Sequence, residues 1–431
     1  MTKISKAIKK LMLSKAYLDK KQVHERTYFK LNGKYCMYRN GEVTHQTQSE
    51  IAEYFKNDQI EGKIEIYTPE GDLKQIDISE SFYDIWSFDP KIKTYHKIVF
   101  DCDVKNVPED HFNLFDGFKH FDKLEKKDED LEPIFEHIRT LVDYHDEMYE
   151  YIINFYAQII QQPHILTHTV PVFISEQGIG KDILMNFMAK VIGEKYCCSV
   201  DKIDLLVGDF NGMMGAKLMC NVNETDPIES KKREDAIKFV TTAQNIVVNE
   251  KYEKPIKCKN YSRFNWFSNK PFAFPMEAGA RRPRINKSSS KYIELPADKK
   301  NKHFASLIKM AENPSCQYAF LRFLQSKDIS TYDFQKPIST EFQTSLEKHS
   351  APVLATFLAK KVQSQVIDHQ TYGSTVLYEE FKGYLKINNF KYEMDTKKFA
   401  FEMKNTYLVN HYKTNGKMSF KIDKPSLQKL L

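Results

Sequence analysis

Apolar and polar positions alternate in short stretches along the first hundred residues. RTYFKL (26–31), KYCMYR (34–39) and EVTHQT (42–47) are separated by Asn32-Gly33 and Asn40-Gly41. These are tight-turn dipeptides, and the pattern predicts a hairpin meander. KIEIY and LKQIDI flank Glu70-Gly71 and predict a second hairpin. From about Glu132 the period becomes helical. Ile134, Ile138 and Leu141 share one face, and Met148, Ile152, Phe155 and Ile159, spaced four, three and four apart, share another. KLEKKDEDLE, between these regions, reads as a surface linker. Residues 165–300 carry an α/β pattern with short apolar strands, and 300–345 is helix-like. In the last eighty or so residues Ser374 can cap a helix through Leu385 and Asp395 a second through Met403, before a hairpin turning at Asn415-Gly416. Two helices and a hairpin form a winged-helix order, although a generic α+β tail fits the same signals.

Composition narrows the class. The 431 residues are 41% hydrophobic, 28% charged and 13% aromatic. That is the profile of folded domains, and the length suits two to four of them. No apolar run reaches the ~18 residues of a membrane span. The basic N-terminus is interrupted by lysines and lacks a signal-peptide core. An intracellular protein without a membrane partner is expected. Seven scattered cysteines with no CxxC pair predict neither a zinc site nor a disulfide framework. The net charge of +6 is compatible with nucleic acid, and where the lysines sit matters more than their number.

The sharpest motif lies at 172–193. VFI (172–174) reads as a buried strand, SEQGIGKD (175–182) as a loop and ILMNFMAKVIG as a helix closed by Gly193. Strand, glycine loop, lysine and helix together predict a nucleoside-triphosphate site lined by Ser175, Gln177, Gly178, Ile179, Gly180, Lys181 and Asp182. Glycines let backbone N–H groups curl around phosphate oxygens, the helix N-terminus adds positive potential, and Lys181 neutralises the β- and γ-phosphates. Two positions depart from GxxxxGK[ST]: Ser175 replaces the first glycine and Asp182 the metal-ligating hydroxyl. A carboxylate can also hold Mg²⁺.

AKLMCNVNET (216–225) predicts a second strand ending in a carboxylate, with Glu224 as candidate water-activating base and Asn221 and Asn223 as polar support. FNWFSNK (264–270) predicts a third, ending in Asn269, which can orient a lytic water. GARRPRI (279–285) then offers Arg281 and Arg282 as candidate arginine fingers for a neighbouring subunit's γ-phosphate. Between these, NIVVNEKYEKPIKCKNYSRF (245–264) alternates around a Tyr-Glu-Lys-Pro turn. Lys251, Lys254, Lys257 and Lys259 cluster on the predicted hairpin, placed to grip a phosphate backbone without base specificity. Solvated turns and a solvated hairpin are the plainer alternatives for these surface residues.

Taken in order within about 110 residues, SEQGIGKD, NVNE, the lysine hairpin, FSN and Arg281-Arg282 resemble the superfamily 3 helicases. These are AAA+ ATPases of viruses and mobile elements, and the likeness is to the helicase part of poxvirus-type and phage-type primase-helicases. FNLFDGF (112–118) and FYAQIIQQP (155–163) resemble that group's lead-in, so the resemblance covers roughly residues 110–431. After a mixed α/β N-terminal region (1–118) read from the patterning, it implies a helical collar (119–163), an AAA+ P-loop ATPase core with a parallel sheet (164–300), a helical lid (301–345) and a winged-helix-like domain (346–431). It further implies ATP and Mg²⁺, the latter held at Asp182 and Glu224. Catalysis would fall to Lys181, Glu224, Asn269 and Arg281 or Arg282. The partners implied are single-stranded or forked DNA, a hexameric ring of copies and a separate primase or polymerase. An initiator or loader that remodels DNA without processive unwinding, and a non-enzymatic nucleotide-dependent ring, are the alternatives. Finally, IVFDCDVK (98–105) looks like the paired-aspartate strand of archaeo-eukaryotic primases, with Asp101 and Asp103 on one face. The chain before residue 165 is short for such a domain, and a purely structural strand is the expected reading.

Overall fold

A computed structural model describes residues 6–67, 72–118, 121, 124–250, 252, 254–270, 273–275, 280–350, 353–364, 369–387, 394–405, 410–414 and 417–423. The chain forms two compact units, one of residues 1–273 with 286–338 and one of 274–285 with 339–431.

The first unit begins with helices Lys6–Leu11 and Lys15–His24, then the meander Tyr28–Leu31, Lys34–Arg39 and Glu42–His45. Its two turns place Asn32, Gly33, Asn40 and Gly41 at positive φ, the backbone for which Asn-Gly is selected. A second hairpin pairs Gln59–Tyr67 with Leu73–Ser81; its turn at Glu70-Gly71 lies outside the described residues.

The central sheet comprises β1 (Val170–Ile174), β2 (Cys197–Val200), β3 (Met219–Asn223), β4 (Arg263–Ser268) and β5 (Pro283–Lys287), ordered β2-β3-β4-β1-β5. Ladders β2–β3, β3–β4 and β4–β1 are parallel. Strands β1 and β4 are buried at every position, as parallel strands covered on both faces must be. Pro171, which has no N–H to donate, lies ahead of the stretch paired with β4, which starts at Val172.

Helices Glu132–Leu141 and Asp146–Gln161 share one hydrophobic cluster with the sheet and with helices Lys181–Ile192, Ala297–Ala311 and Pro314–Ser326. The stripe read from Met148 to Ile159 understates Asp146–Gln161, in which eleven of sixteen residues are buried. Its C-terminal end is tied to the start of β4 by Arg263. That buried guanidinium donates to the carbonyls of Pro163, Tyr261, Gln162 and Ile165 and to Gln158 Oε1. Burial pulls its pKa down to about 10, so it remains a cation and carries its donors inside.

The aspartates of IVFDCDVK do not lie on a strand, which corrects the geometry expected for them. The strand Lys97–Val99 ends first. Asp101 accepts from the Tyr261 hydroxyl and pairs with Lys259 at 2.7 Å. Burial pushes its carboxyl up, but these donors outweigh burial and hold it below the usual range. Asp103 donates its N–H to Asp101 Oδ1 at 3.0 Å. Among the described residues no three His, Cys, Asp or Glu side chains form a metal-ligand set, and no helix is long and apolar enough to cross a membrane.

The second unit contains helix Val353–Ser364, strand His369–Gly373, helices Ser374–Ile387 and Thr396–Asn405, and strands Asn410–Thr414 and Lys417–Asp423. Asp395 accepts from the Lys398 N–H at 2.7 Å, the cap expected of it. The last strand lies between the other two, antiparallel to both. The turn at Asn415-Gly416 is outside the described residues.

Candidate active site

The loop leaves β1 at Ser175, whose N–H donates to Ser268 O at 2.9 Å. Gly178 and Gly180 have φ of +78° and +85°, the left-handed backbone that a side chain disfavours. Buried Ile179 pins the loop between them, while Gln177 is exposed. A Cβ on Gly180 would lie 2.6 Å from Phe304 Cε1 and 2.9 Å from His137 Cε1. His137 is fully buried, its Nε2 2.9 Å from Gly180 O. Burial pushes the imidazole down to about 4, with the Gly180 carbonyl opposing, so at neutral pH it is uncharged and Nε2–H donates to that carbonyl. Neither His137 nor Phe304 is marked by sequence spacing. They reach the loop from helices some forty residues upstream and over a hundred downstream.

Lys181 opens the helix Lys181–Ile192 and is nearly buried; its Nζ lies 2.7 Å from Glu224 Oε1. Asp182 is exposed in the same first turn. Glu224 follows β3 with φ +49°, a conformation uncommon for a glutamate and enriched at functional sites. Its N–H donates to Phe267 O at 2.9 Å. Thus the last residues of β4, Phe267 and Ser268, accept from Glu224 on one side and Ser175 on the other. Asn269, the next residue, is exposed between the loop and the carboxylate. Register between β3 and β4 is supported by Asn265 Nδ2 donating to Asn221 Oδ1 at 3.0 Å and Trp266 Nε1 to Thr225 Oγ1 at 3.1 Å. Asn223, on the other side, donates to Ser199 Oγ. Lys181, Glu224 and Asn269, separated by up to 88 residues, therefore share the carboxyl edge of three adjacent parallel strands, where open α/β sheets bind ligands.

A cleft of about 640 Å³ runs from Gly178, Gly180 and Lys181 along the helix to an apolar wall of Phe304 and Ile308. That volume suits a nucleotide-sized ligand. The Ser175 hydroxyl is buried and finds no partner among the described residues, so the loop holds a polar atom suited to a phosphate oxygen.

The lysine segment is an antiparallel hairpin of Asn245–Val248 and Ile256–Lys259. Lys254, Lys257 and Lys259 are exposed, Lys259 being the one paired with Asp101; Lys251 lies outside the described residues. Arg281 and Arg282 belong to the second unit, the first exposed and the second half-buried. The third arginine of that segment, Arg284, is buried, with Nη1 donating to Arg281 O at 2.7 Å.

The fold has relatives. Residues 173–282 match a family of unknown function (DUF5906). A stretch of 146 residues, 33% of the chain, is 27% identical to a DNA primase-polymerase of Nitratiruptor phage NrS-1. It spans only 20% of that relative's length. Two apo structures of the NrS-1 C-terminal region share the fold. One superposes with a TM-score of 0.65 at 17% identity, covering 95% of this chain and 99% of that one. The other does so with 0.63 at 18% identity, covering 91% and 94%.

Proposed function

We propose that the chain is the ATP-hydrolysing, DNA-translocating part of a phage or mobile-element replication apparatus, an AAA+ helicase of the superfamily 3 kind. The observation that carries this reading is the convergence of the glycine loop with Lys181, Glu224 and Asn269 on one sheet edge. The chain between the carboxylate strand and the Asn269 strand forms a lysine-bearing hairpin. The likeness to the NrS-1 C-terminal region and to a phage primase-polymerase supports the replication setting.

In this reading Lys181 now neutralises Glu224, and an incoming γ-phosphate competes for its ammonium. Freed from the lysine, Glu224 takes a proton from the attacking water, which Asn269 orients. Asp182 and Glu224 are the hard oxygen donors that would hold Mg²⁺, which would supply charge neutralisation to the triphosphate. Arg281 or Arg282 serves a neighbouring copy's site, which requires a ring, here taken as a hexamer. Lys251, Lys254, Lys257 and Lys259 grip phosphates of single-stranded or forked DNA and move with hydrolysis. From Val353 onward, the order helix, strand, two helices, two strands supports a winged-helix identity for the C-terminal unit.

The test is ATP turnover with and without single-stranded DNA, followed by displacement of a strand from a fork. Wild type should be DNA-stimulated. Glu224→Gln should bind ATP but turn over at least ~100-fold more slowly, and Lys181→Ala should fail to bind it. DNA-stimulated turnover without strand displacement would favour the initiator or loader. Equal inactivity of wild type and Lys181→Ala, with DNA binding intact, would end the enzymatic reading.

A further inference from the structure

We propose that Tyr252, at the apex of the lysine hairpin, stacks on a base of single-stranded DNA, so that the hairpin holds the strand through a base as well as through phosphates. The inference rests on the DNA-translocating reading above and adds a contact that charge alone does not supply.

Register divides the hairpin into two faces. Val247 pairs with Lys257 and Asn245 with Lys259, so these four share one side. Ile246, Val248, Ile256 and Cys258 share the other, where Ile246 is buried against the body. Lys257 therefore faces away from the side that buries Ile246, while Lys259, at the base of the hairpin, is tied to Asp101. The near half of the apex is clamped. Asn249 N–H donates to Asn211 Oδ1 at 2.9 Å and its side chain to Asp209 O at 2.6 Å. Glu250 packs so closely on Gly212 that a Cβ there would meet its Cγ at 2.7 Å.

Tyr252 is held by none of this. It is fully exposed, at 102% of the reference area, and no hydrogen bond or ring contact joins it to another described residue. Its φ is +70°, a left-handed backbone that a bulky aromatic rarely adopts and that clusters at ligand-contacting positions. Ile256 and Val247, both more than half exposed, extend apolar surface along the hairpin. A solvent-facing ring among lysines matches the combination by which single strands are gripped: cations along the backbone and an aromatic platform for a base. Bases within a duplex are stacked on both faces and offer the ring none, so the contact selects single strands.

The experiment measures affinity for a dT oligonucleotide, an abasic oligonucleotide of equal length and a duplex, with a non-hydrolysable ATP analogue present. Tyr252→Ala should weaken dT binding about tenfold and leave the abasic and duplex affinities unchanged. Tyr252→Trp should restore dT binding, and its fluorescence should be quenched by dT and not by the abasic strand. The two native tryptophans, Trp86 and Trp266, are fully buried and out of reach of a bound base, so dT-dependent quenching beyond that of wild type belongs to the introduced one. Tyr67→Ala, which removes an exposed tyrosine on the other hairpin, should change nothing. Unaltered dT affinity in Tyr252→Ala, or equal loss on dT and abasic strands, overturns the stacking role. Wild-type protein that binds none of the three overturns the DNA reading itself.

Discussion

Replacing Gly180 by alanine is expected to destabilise the fold by about 1–3 kcal/mol and to weaken nucleotide binding at least tenfold. Gly180 has φ +85° and ψ 23°, a backbone that costs an L-residue about 1–2 kcal/mol. The added methyl would lie 2.6 Å from Phe304 Cε1 and 2.9 Å from His137 Cε1. Relieving that overlap costs on the order of another 1 kcal/mol. Against this, alanine restricts the unfolded chain and returns about 0.4–1 kcal/mol. His137 cannot yield easily, because it is buried and donates to Gly180 O. Phe304 is half-buried and can. Removing its ring should therefore lower the cost of Gly180→Ala by only part of that ~1 kcal/mol, leaving the backbone contribution and the contact with His137. Urea unfolding and titration with a fluorescent ATP analogue, applied to wild type, both single variants and the double variant, measure this directly. An equal cost with and without the Phe304 ring refutes a steric contribution from that ring. Wild-type stability and affinity in Gly180→Ala refute the left-handed backbone argument.

Three further outcomes follow from the same geometry. Asp182→Ser should preserve or raise Mg²⁺-dependent ATP turnover if the position serves only the metal; a loss of more than about tenfold would mean that the carboxylate itself is required. His137 has a folded pKa of about 4, below the unfolded 6.5. Its contribution is thus complete above pH ~6.5 and declines as pH falls toward 4, to a total of about 3 kcal/mol. In unfolding measured across that window, His137→Gln should show a shallower loss than wild type, and parallel curves would contradict the burial argument. Arg263→Met should destabilise by about 3–5 kcal/mol, because four carbonyls and Gln158 lose their donor; a melting curve close to wild type would show that water replaces it.

Local chemistry made much of the molecule readable. The turns at Asn32-Gly33 and Asn40-Gly41, the buried strand ahead of SEQGIGKD, the strand leading to Glu224 and the hairpin bearing Lys257 each depend on neighbours within a few residues, and the structure forms each of them. The aspartates of IVFDCDVK show where that reading stops. Their spacing suggested one face of a strand, but Asp101 is held by Tyr261 and Lys259 from about 160 residues away, a demand invisible in the local pattern.

The amino-acid sequence by itself determined which segments become strands, turns and helices around the loop, and which residue types end the strands. Tertiary structure alone decided that β4 enters the sheet between β1 and β3, bringing Asn269 between Ser175 and Glu224. It alone placed His137 and Phe304 against Gly180, pressed Lys181 onto Glu224 and left Tyr252 exposed at the hairpin apex. The physical reason is that periodicity records which side of an element is apolar, whereas strand order and helix packing are chosen by burial across the whole unit. A contact between residues far apart in the chain leaves no spacing in the sequence to be read.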